Sequence, residues 1–231
     1  MEPLGPKLAE GRDSEIFEHG PGRVLRVARD GRSLVAEAEV MRHARSYGYP
    51  CPAVHDAGEG WLVMDRLEGP TMSDVMLKQP WRIRSFGRVL AGLHERLHAI
   101  PAPAGVREVD VPGDVLLHRD LHPLNVMVTA DGPVVIDWSN AARGGAAYDV
   151  ADTWVLMRCA DPGLDGLAAK AIVAVGRGMF LRGFLGAVDR SAARAAIPAV
   201  VEDRARDRNT TEVEKQRMRA MAEWAMRKGP S

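Results

Sequence analysis

The sequence predicts an α+β fold in two unequal lobes: a small N-terminal antiparallel sheet carrying one helix, then a larger, mostly helical C-terminal part. Three observations lead there. Short β-prone runs separated by Gly- and Pro-containing turns fill the first 65 residues. Helical spacing of apolar residues dominates from residue 72 to 100 and again from about residue 147. Between the two regimes stands the breaker Glu68-Gly-Pro70, which sets a division into residues 1–67 and 68–231.

The elements follow in order. Gly11-Arg-Asp-Ser14 is a turn-forming stretch ahead of a first strand at Glu15–Glu18. His19-Gly-Pro-Gly22 turns the chain into a second strand at Val24–Val27. Leu34, Val35, Ala38, Met41, Ala44 and Tyr47 recur at helical spacing over residues 33–47, with Ser33 as the expected N-cap and Gly48 and Pro50 as the stop. Pro52–Asp56 and Gly60–Met64 read as two further strands. Helices are expected over 72–78 and 80–100, the second with Ile83, Phe86, Val89, Leu90, Leu93 and Leu97 on one side. Val115–Leu117 leads into a polar loop, and Val126–Val128 and Val134–Ile136 form a hairpin about Asp131-Gly132. Met72, Met76, Trp154 and Met157 are expected in the core. The tail after Glu202 alternates charges, which predicts a solvated helix face for Arg204, Arg206, Arg208, Arg217 and Arg219.

Composition removes several function classes. Lys+Arg and Asp+Glu are equal at 31 each, so the chain lacks the net basic charge of a nucleic-acid binder. Its two cysteines, Cys51 and Cys159, match no metal spacing or disulfide framework and suit a reducing compartment. No apolar run approaches the roughly 20 residues of a membrane span, and the first fifteen residues lack the apolar core of a signal peptide. The expectation is a cytoplasmic protein with no membrane or nucleic-acid partner, as monomer or homodimer.

Chemistry concentrates in His118-Arg-Asp-Leu-His-Pro-Leu-Asn125 and the following Ile136-Asp137-Trp138. Asp120 and Asn125 bound a short polar loop. Asp137 follows an apolar strand, so its carboxylate can emerge beside that loop. Hard oxygen donors in this arrangement suit Mg2+ shared with phosphates, and a carboxylate near the metal can orient a hydroxyl and accept its proton.

These residues resemble the core of the aminoglycoside phosphotransferase and choline kinase-like family, whose fold is similar to that of the protein kinases. The likeness extends to Gly11–Phe17 as the phosphate-covering loop and to Val24-Leu-Arg-Val27 as the strand presenting a basic residue. It includes Ala36–Met41 as the helix with its acidic partner, Trp61–Gly69 as the hinge strand, and Asp137–Asp152 as the metal aspartate and following helix. The resemblance implies ATP and Mg2+ as cofactors and a small-molecule hydroxyl as acceptor. Asp120 is then the catalytic base or orienting carboxylate, and Asn125 and Asp137 are the metal ligands. Gly11, Ser14, Arg26, Glu37 (with Glu39 second), and backbone around Met64 and Arg66 bind the nucleotide. Two departures are visible: Arg26 stands where Lys is usual, and the covering loop is poor in glycine, which shifts phosphate contact toward Ser14 and backbone N–H groups.

Rival readings are a protein kinase, favoured by the His-Arg-Asp triplet, and a non-catalytic nucleotide-binding pseudokinase, favoured by the two departures. A third is a metal hydrolase built on His118, Asp120 and His122. Only eleven residues lie between Asp137 and Asp149, which leaves little room for a peptide platform and favours a small acceptor. His118 is expected to be structural, His122 either a loop anchor or a substrate contact, and Asp149 a support for the loop. For a polycationic acceptor the available acids are Asp152, Asp161, Asp165, Asp189, Glu202 and Asp203.

Overall fold

A computed structural model describes residues 5–11, 13–161, 163, 165–207 and 210–227. Arg12, within the expected covering loop, Met1–Leu4 at the N-terminus, and Arg208 in the tail lie outside the described residues.

Five strands form one antiparallel sheet in the order β1-β2-β3-β5-β4: β1 (Lys7–Glu10), β2 (Ser14–Glu18), β3 (Arg23–Ala28), β4 (Val54–Gly58) and β5 (Trp61–Asp65). The edge strand β1 was not expected. Its sequence, Lys-Leu-Ala-Glu, is exposed throughout, so no alternation of buried residues announces it. On β3, Val24, Arg26 and Ala28 share the buried face. A charged residue thus takes a core position among apolar neighbours, at the register Ile16–Arg26–Leu62.

Helix α1 (Val35–Ser46) packs against the sheet through Ala38, Val40, Met41 and Ala44. Its N-cap is Leu34, with no side-chain cap, so the expected Ser33 cap is corrected. Ser33 instead bridges to Glu59, and Leu34 N–H donates to Gly58 O at 3.2 Å. Burial of Leu34, 1% exposed, anchors the entry in place of a hydroxyl. The expected strand at 52–56 starts two residues later, at Val54.

The linker Glu68-Gly-Pro70 lies against the hairpin that follows the polar loop. Val128 N–H donates to Pro70 O at 2.8 Å. Gly69 has φ +132°, and a Cβ there would fall 2.3 Å from Val128 O, so glycine is required by both torsion and space. Beyond it come α2 (Met72–Lys78), opened by a capping box between Thr71 and Asp74, and a 3-10 turn (Pro80–Arg82) leading into α3 (Ile83–His98). Then follow β6 (Val115–Leu117), a 3-10 turn (Pro123–Asn125), the hairpin β7 (Val126–Thr129) and β8 (Gly132–Val135), and β9 (Ala142–Gly144). Strand β9 pairs antiparallel with β6 and was not read from the sequence, since three residues carry no period.

Four helices complete the chain: α4 (Ala146–Cys159), α5 (Leu167–Phe184), α6 (Arg190–Ala205) and α7 (Glu212–Arg227). Helix α5 approaches α3 closely at Gly87, where a Cβ would meet Phe180 O at 2.3 Å. The core around Trp138, Tyr148, Phe180 and Phe184 is continuous with the residues under the sheet, and Tyr49 meets Trp138 edge-on at 5.5 Å. Met72 and Trp154 are buried, with Met76 and Met157 packed against the core.

Candidate active site

The polar loop begins where β6 ends. Arg119 adopts φ +62°, an unfavourable torsion for a side-chain-bearing residue. Its reward is local: His118 N–H and Arg119 N–H both turn onto the Asp149 carboxylate, at 3.1 and 2.6 Å. Asp149 sits in the first turn of α4 and is fully buried. His98 reaches it at 3.1 Å and His94 at 3.5 Å. Burial opposes the charge, but hydrogen bonds from the two histidines hold the carboxyl well below the usual 3.8. Asp149 is therefore the support that the sequence suggested.

His118 is completely buried, with Nε2–H donating to Ile136 O at 3.1 Å, and burial pushes its basicity down. That removes it from any shared surface with His122 and ends the metal-hydrolase reading. The group of potential metal ligands found among the described residues is instead His94, His98 and Asp149, engaged in the buried support just described.

Asp120 and Asn125 face each other across the loop. Asn125 Nδ2 donates to Asp120 O at 2.9 Å and to Asp120 Oδ2 at 3.1 Å. The amide nitrogen being so committed, the Asn125 oxygen is the group left for other partners. Asn125 O also accepts from Ile136 N–H at 3.0 Å, which ties the loop to the residue before Asp137. Asp137 takes φ +63° on leaving β8, and its side chain is 42% exposed. Its Oδ1 accepts from Ser139 Oγ at 2.9 Å and lies 3.4 Å from Arg26 Nη2. Two residues in the left-handed region, Arg119 and Asp137, thus bracket the loop and turn it.

His122 caps the 3-10 turn, its Nδ1 accepting from Leu124 N–H at 3.3 Å. Its Nε2 lies 3.5 Å from Asp120 Oδ2 and 3.5 Å from Asn125 Nδ2. Burial works against the Asp120 charge, but His122 and Arg204 overcome it and keep the carboxyl far below its ordinary value.

Arg26 reaches this loop from the sheet. Its Nη1 meets Glu37 Oε1 at 2.5 Å and its Nε donates to Ser14 Oγ at 3.0 Å. Glu37 is buried and Glu39 is exposed, which decides between the two candidate partners. Burial pushes the Glu37 carboxyl up, opposed by Arg26, and the Asp137 charge adds to the rise. Gly11 N–H donates to Ser14 O at 2.9 Å, closing the turn between β1 and β2. Met64 lies half-buried on β5, opposite Val24 on one side and Val54 on the other. The Arg66 N–H donates to Gly22 O at 2.9 Å. Of the Arg66 backbone groups, the carbonyl is the one this bond leaves for another partner.

One functional neighbour escaped the sequence reading. Arg204, expected on a solvated face, is half-buried at the last turn of α6. Its Nη2 lies 3.2 Å from Asp120 Oδ1, 2.8 Å from Asp152 Oδ2 and 2.9 Å from Arg119 O, and its Nε bonds Asp152 Oδ1. A signal was present: Ile197, Val200, Val201 and Arg204 follow i, i+3, i+4, i+7 spacing, so the arginine continues the buried stripe of α6. Next to it, Asp203 accepts from Tyr148 Oη at 2.9 Å and from Arg107 at 2.6 Å, and pairs with Arg119.

An antiparallel sheet carrying a buried arginine–glutamate pair, joined through Arg26 to the last carboxylate of an Asp/Asn/Asp loop in a helical region, is the arrangement of a kinase-like phosphotransferase fold. A family model described as the phosphotransferase enzyme family matches residues 7–114 and 110–191, and the chain belongs to that family. Among solved structures, a choline/ethanolamine kinase family protein from Mesorhizobium loti is similar at 17% identity. The match covers 98% of this chain and 89% of that one, with a TM-score of 0.61. A thermostable mutant of the aminoglycoside phosphotransferase APH(4)-Ia, in ternary complex with AMP-PNP and hygromycin B, matches at 17% identity, 97% and 93% coverage and a TM-score of 0.56. A probable serine/threonine-protein kinase BUD32 homolog of Archaeoglobus fulgidus is 30% identical over 110 residues, 48% of this chain and 46% of that protein. The chain thus aligns with less than half the length of that curated relative.

Proposed function

We propose that the protein is an ATP-dependent phosphotransferase that moves the γ-phosphoryl group to a hydroxyl of a small molecule. The observation that carries this reading is a chain of contacts through Asp120, Asn125, Asp137 and Arg26: Asn125 bonds Asp120, Arg26 reaches Asp137, and Ile136 N–H on the Asn125 backbone oxygen ties the two pairs together. Residues 1–67 serve as the nucleotide lobe and 68–231 as the catalytic and acceptor lobe.

Arg26, held straight by Glu37 and Ser14, presents its remaining charge toward the phosphates. Guanidinium geometry suits bidentate phosphate contact, so Arg replaces the usual Lys with a different grip and the same charge. Backbone groups near Met64 receive the adenine. The Asn125 side-chain oxygen, without a hydrogen bond among the described residues, and the exposed Asp137 carboxylate fit a hard cation, and bound Mg2+ would neutralise phosphate charge there.

Asp120 orients the acceptor hydroxyl. His122 and Arg204 favour its charged form, in which it accepts the hydrogen bond of that hydroxyl. The acceptor oxygen forms the new P–O bond, and the bond from γ-phosphorus to the β–γ bridging oxygen breaks. ADP leaves with that electron pair, and the hydroxyl proton passes to Asp120 and then to solvent. Rate comes from position and charge, with no covalent intermediate on the protein.

The reading is tested by incubating purified protein with ATP labelled at the γ-phosphate and a panel of hydroxyl compounds. Mg2+-dependent label in a compound supports it; nucleotide that neither binds nor turns over contradicts it. The BUD32-like similarity favours a second reading, a protein acceptor, and a protein substrate in the same panel separates the two.

A further inference from the structure

Resting on the phosphotransferase reading, we infer that the acceptor is a polyhydroxyl compound or hydroxy acid without a cation beside its reacting hydroxyl, and that Arg204 selects it. Three observations point there.

The first is the position of Arg204. Its guanidinium stands 3.2 Å from Asp120 Oδ1, the oxygen not engaged by Asn125. Any hydroxyl aligned by that oxygen arrives next to a fixed positive charge. Arg204 is held by Asp152, itself only 3% exposed, and by Arg119 O, so it is part of the built site and not a loose surface chain.

The second is its unused donors. Nε and Nη2 are committed to Asp152, Asp120 and Arg119, while Nη1 has no hydrogen-bond acceptor among the described residues. Two N–H bonds remain for a ligand. An oxygen on the carbon next to the reacting hydroxyl, in a diol or an α-hydroxy acid, meets that need; an ammonium cannot.

The third is the fate of the acids that could greet a polycation. Asp152 is spent on Arg204, and Asp203 on Tyr148, Arg107 and Arg119. Asp189 caps α6, Glu202 faces Arg206 at 2.5 Å, and Asp161 lies 3.8 Å from Arg217. Asp165 stands in the exposed stretch ahead of α5. The two acids nearest the loop are thus compensated by arginines before any acceptor arrives. Beside Asp120, a cationic acceptor would therefore meet guanidinium groups before any uncompensated carboxylate.

The test uses matched acceptors with labelled ATP and Mg2+: glucose and gluconate against glucosamine, and glycerol and glycerate against choline and kanamycin. The neutral or acidic members are expected to exceed the cationic ones in kcat/KM by about tenfold or more. Faster transfer to glucosamine, choline or kanamycin overturns the inference while leaving the phosphotransferase reading intact. Failure to bind ATP with Mg2+ by calorimetry removes that reading itself. Arg204→Gln exposes Asp152 to an unbalanced burial, so the double variant Arg204→Gln/Asp152→Asn is measured beside it. In the double variant the acceptor KM should rise about tenfold with the ATP KM unchanged, and Arg204→Lys should recover part of the loss. An unchanged acceptor KM in a folded double variant overturns the role of Arg204.

Discussion

Arg26 and Arg204 are the same residue type in the same kind of trap, one in each lobe. Arg26 continues the buried face of a strand and Arg204 the buried stripe of a helix, and each neutralises a carboxylate nearly lost to solvent. They differ in what they leave open. Arg26 turns its second amino group toward Asp137, where a metal-bound phosphate is proposed, whereas Arg204 turns toward Asp120, where the hydroxyl is proposed. Two arginines thus divide the proposed reaction between donor and acceptor.

The division breaks most visibly at Asp120. Asp120→Asn should lower kcat by about 10²–10⁴ with nucleotide affinity unchanged, read by label transfer and calorimetry. Next in size is the cost of orphaning a buried carboxylate. Arg26→Ala leaves Glu37 without its partner and should cost about 3–5 kcal/mol in urea unfolding. Adding Glu37→Gln should restore part of that. If Arg26→Ala is neutral, the buried pair is not what holds the strand to α1.

A smaller effect distinguishes the lobes by pH. The Asp149 carboxyl is more acidic folded than unfolded, so the stability it contributes is present above its ordinary 3.8 and is lost as pH falls toward its folded value. Glu37 is shifted the other way: its contribution is present below the ordinary 4.5 and is lost as pH rises through the raised folded value. Tm measured against pH should therefore drop on the acid side in wild type and drop less steeply in Asp149→Asn. Glu37→Gln should instead flatten the slope just above pH 4.5. Smallest of all, Lys7→Ala on the exposed edge strand should leave Tm unchanged, since solvent screens its pairs with Glu10 and Glu15.

What the sequence revealed follows from distance along the chain. Asp120, Asn125 and Asp137 lie within one short stretch, and Glu37 lies one strand–helix connection beyond Arg26, so residue type and spacing expose them together. The clamp of Asp152 and Arg204 joins helices separated by the whole of α5, and no local pattern reports that contact. The alternating charges around Arg204 also mask its place on the stripe, because a charged run and a helical period overlap in the same residues. Strands β1 and β9 were missed for a related reason: one is exposed on every residue and the other too short to show alternation.

The central claim is that Asp137 and Asn125 bring a metal–nucleotide complex to Asp120. Titration of a non-hydrolysable ATP analogue into wild type and Asp137→Ala, each with and without Mg2+, tests it most directly. The account predicts Mg2+-dependent binding in wild type, and in the variant about tenfold weaker affinity with the metal dependence gone. Equal affinity and equal Mg2+ dependence in the two proteins would contradict it.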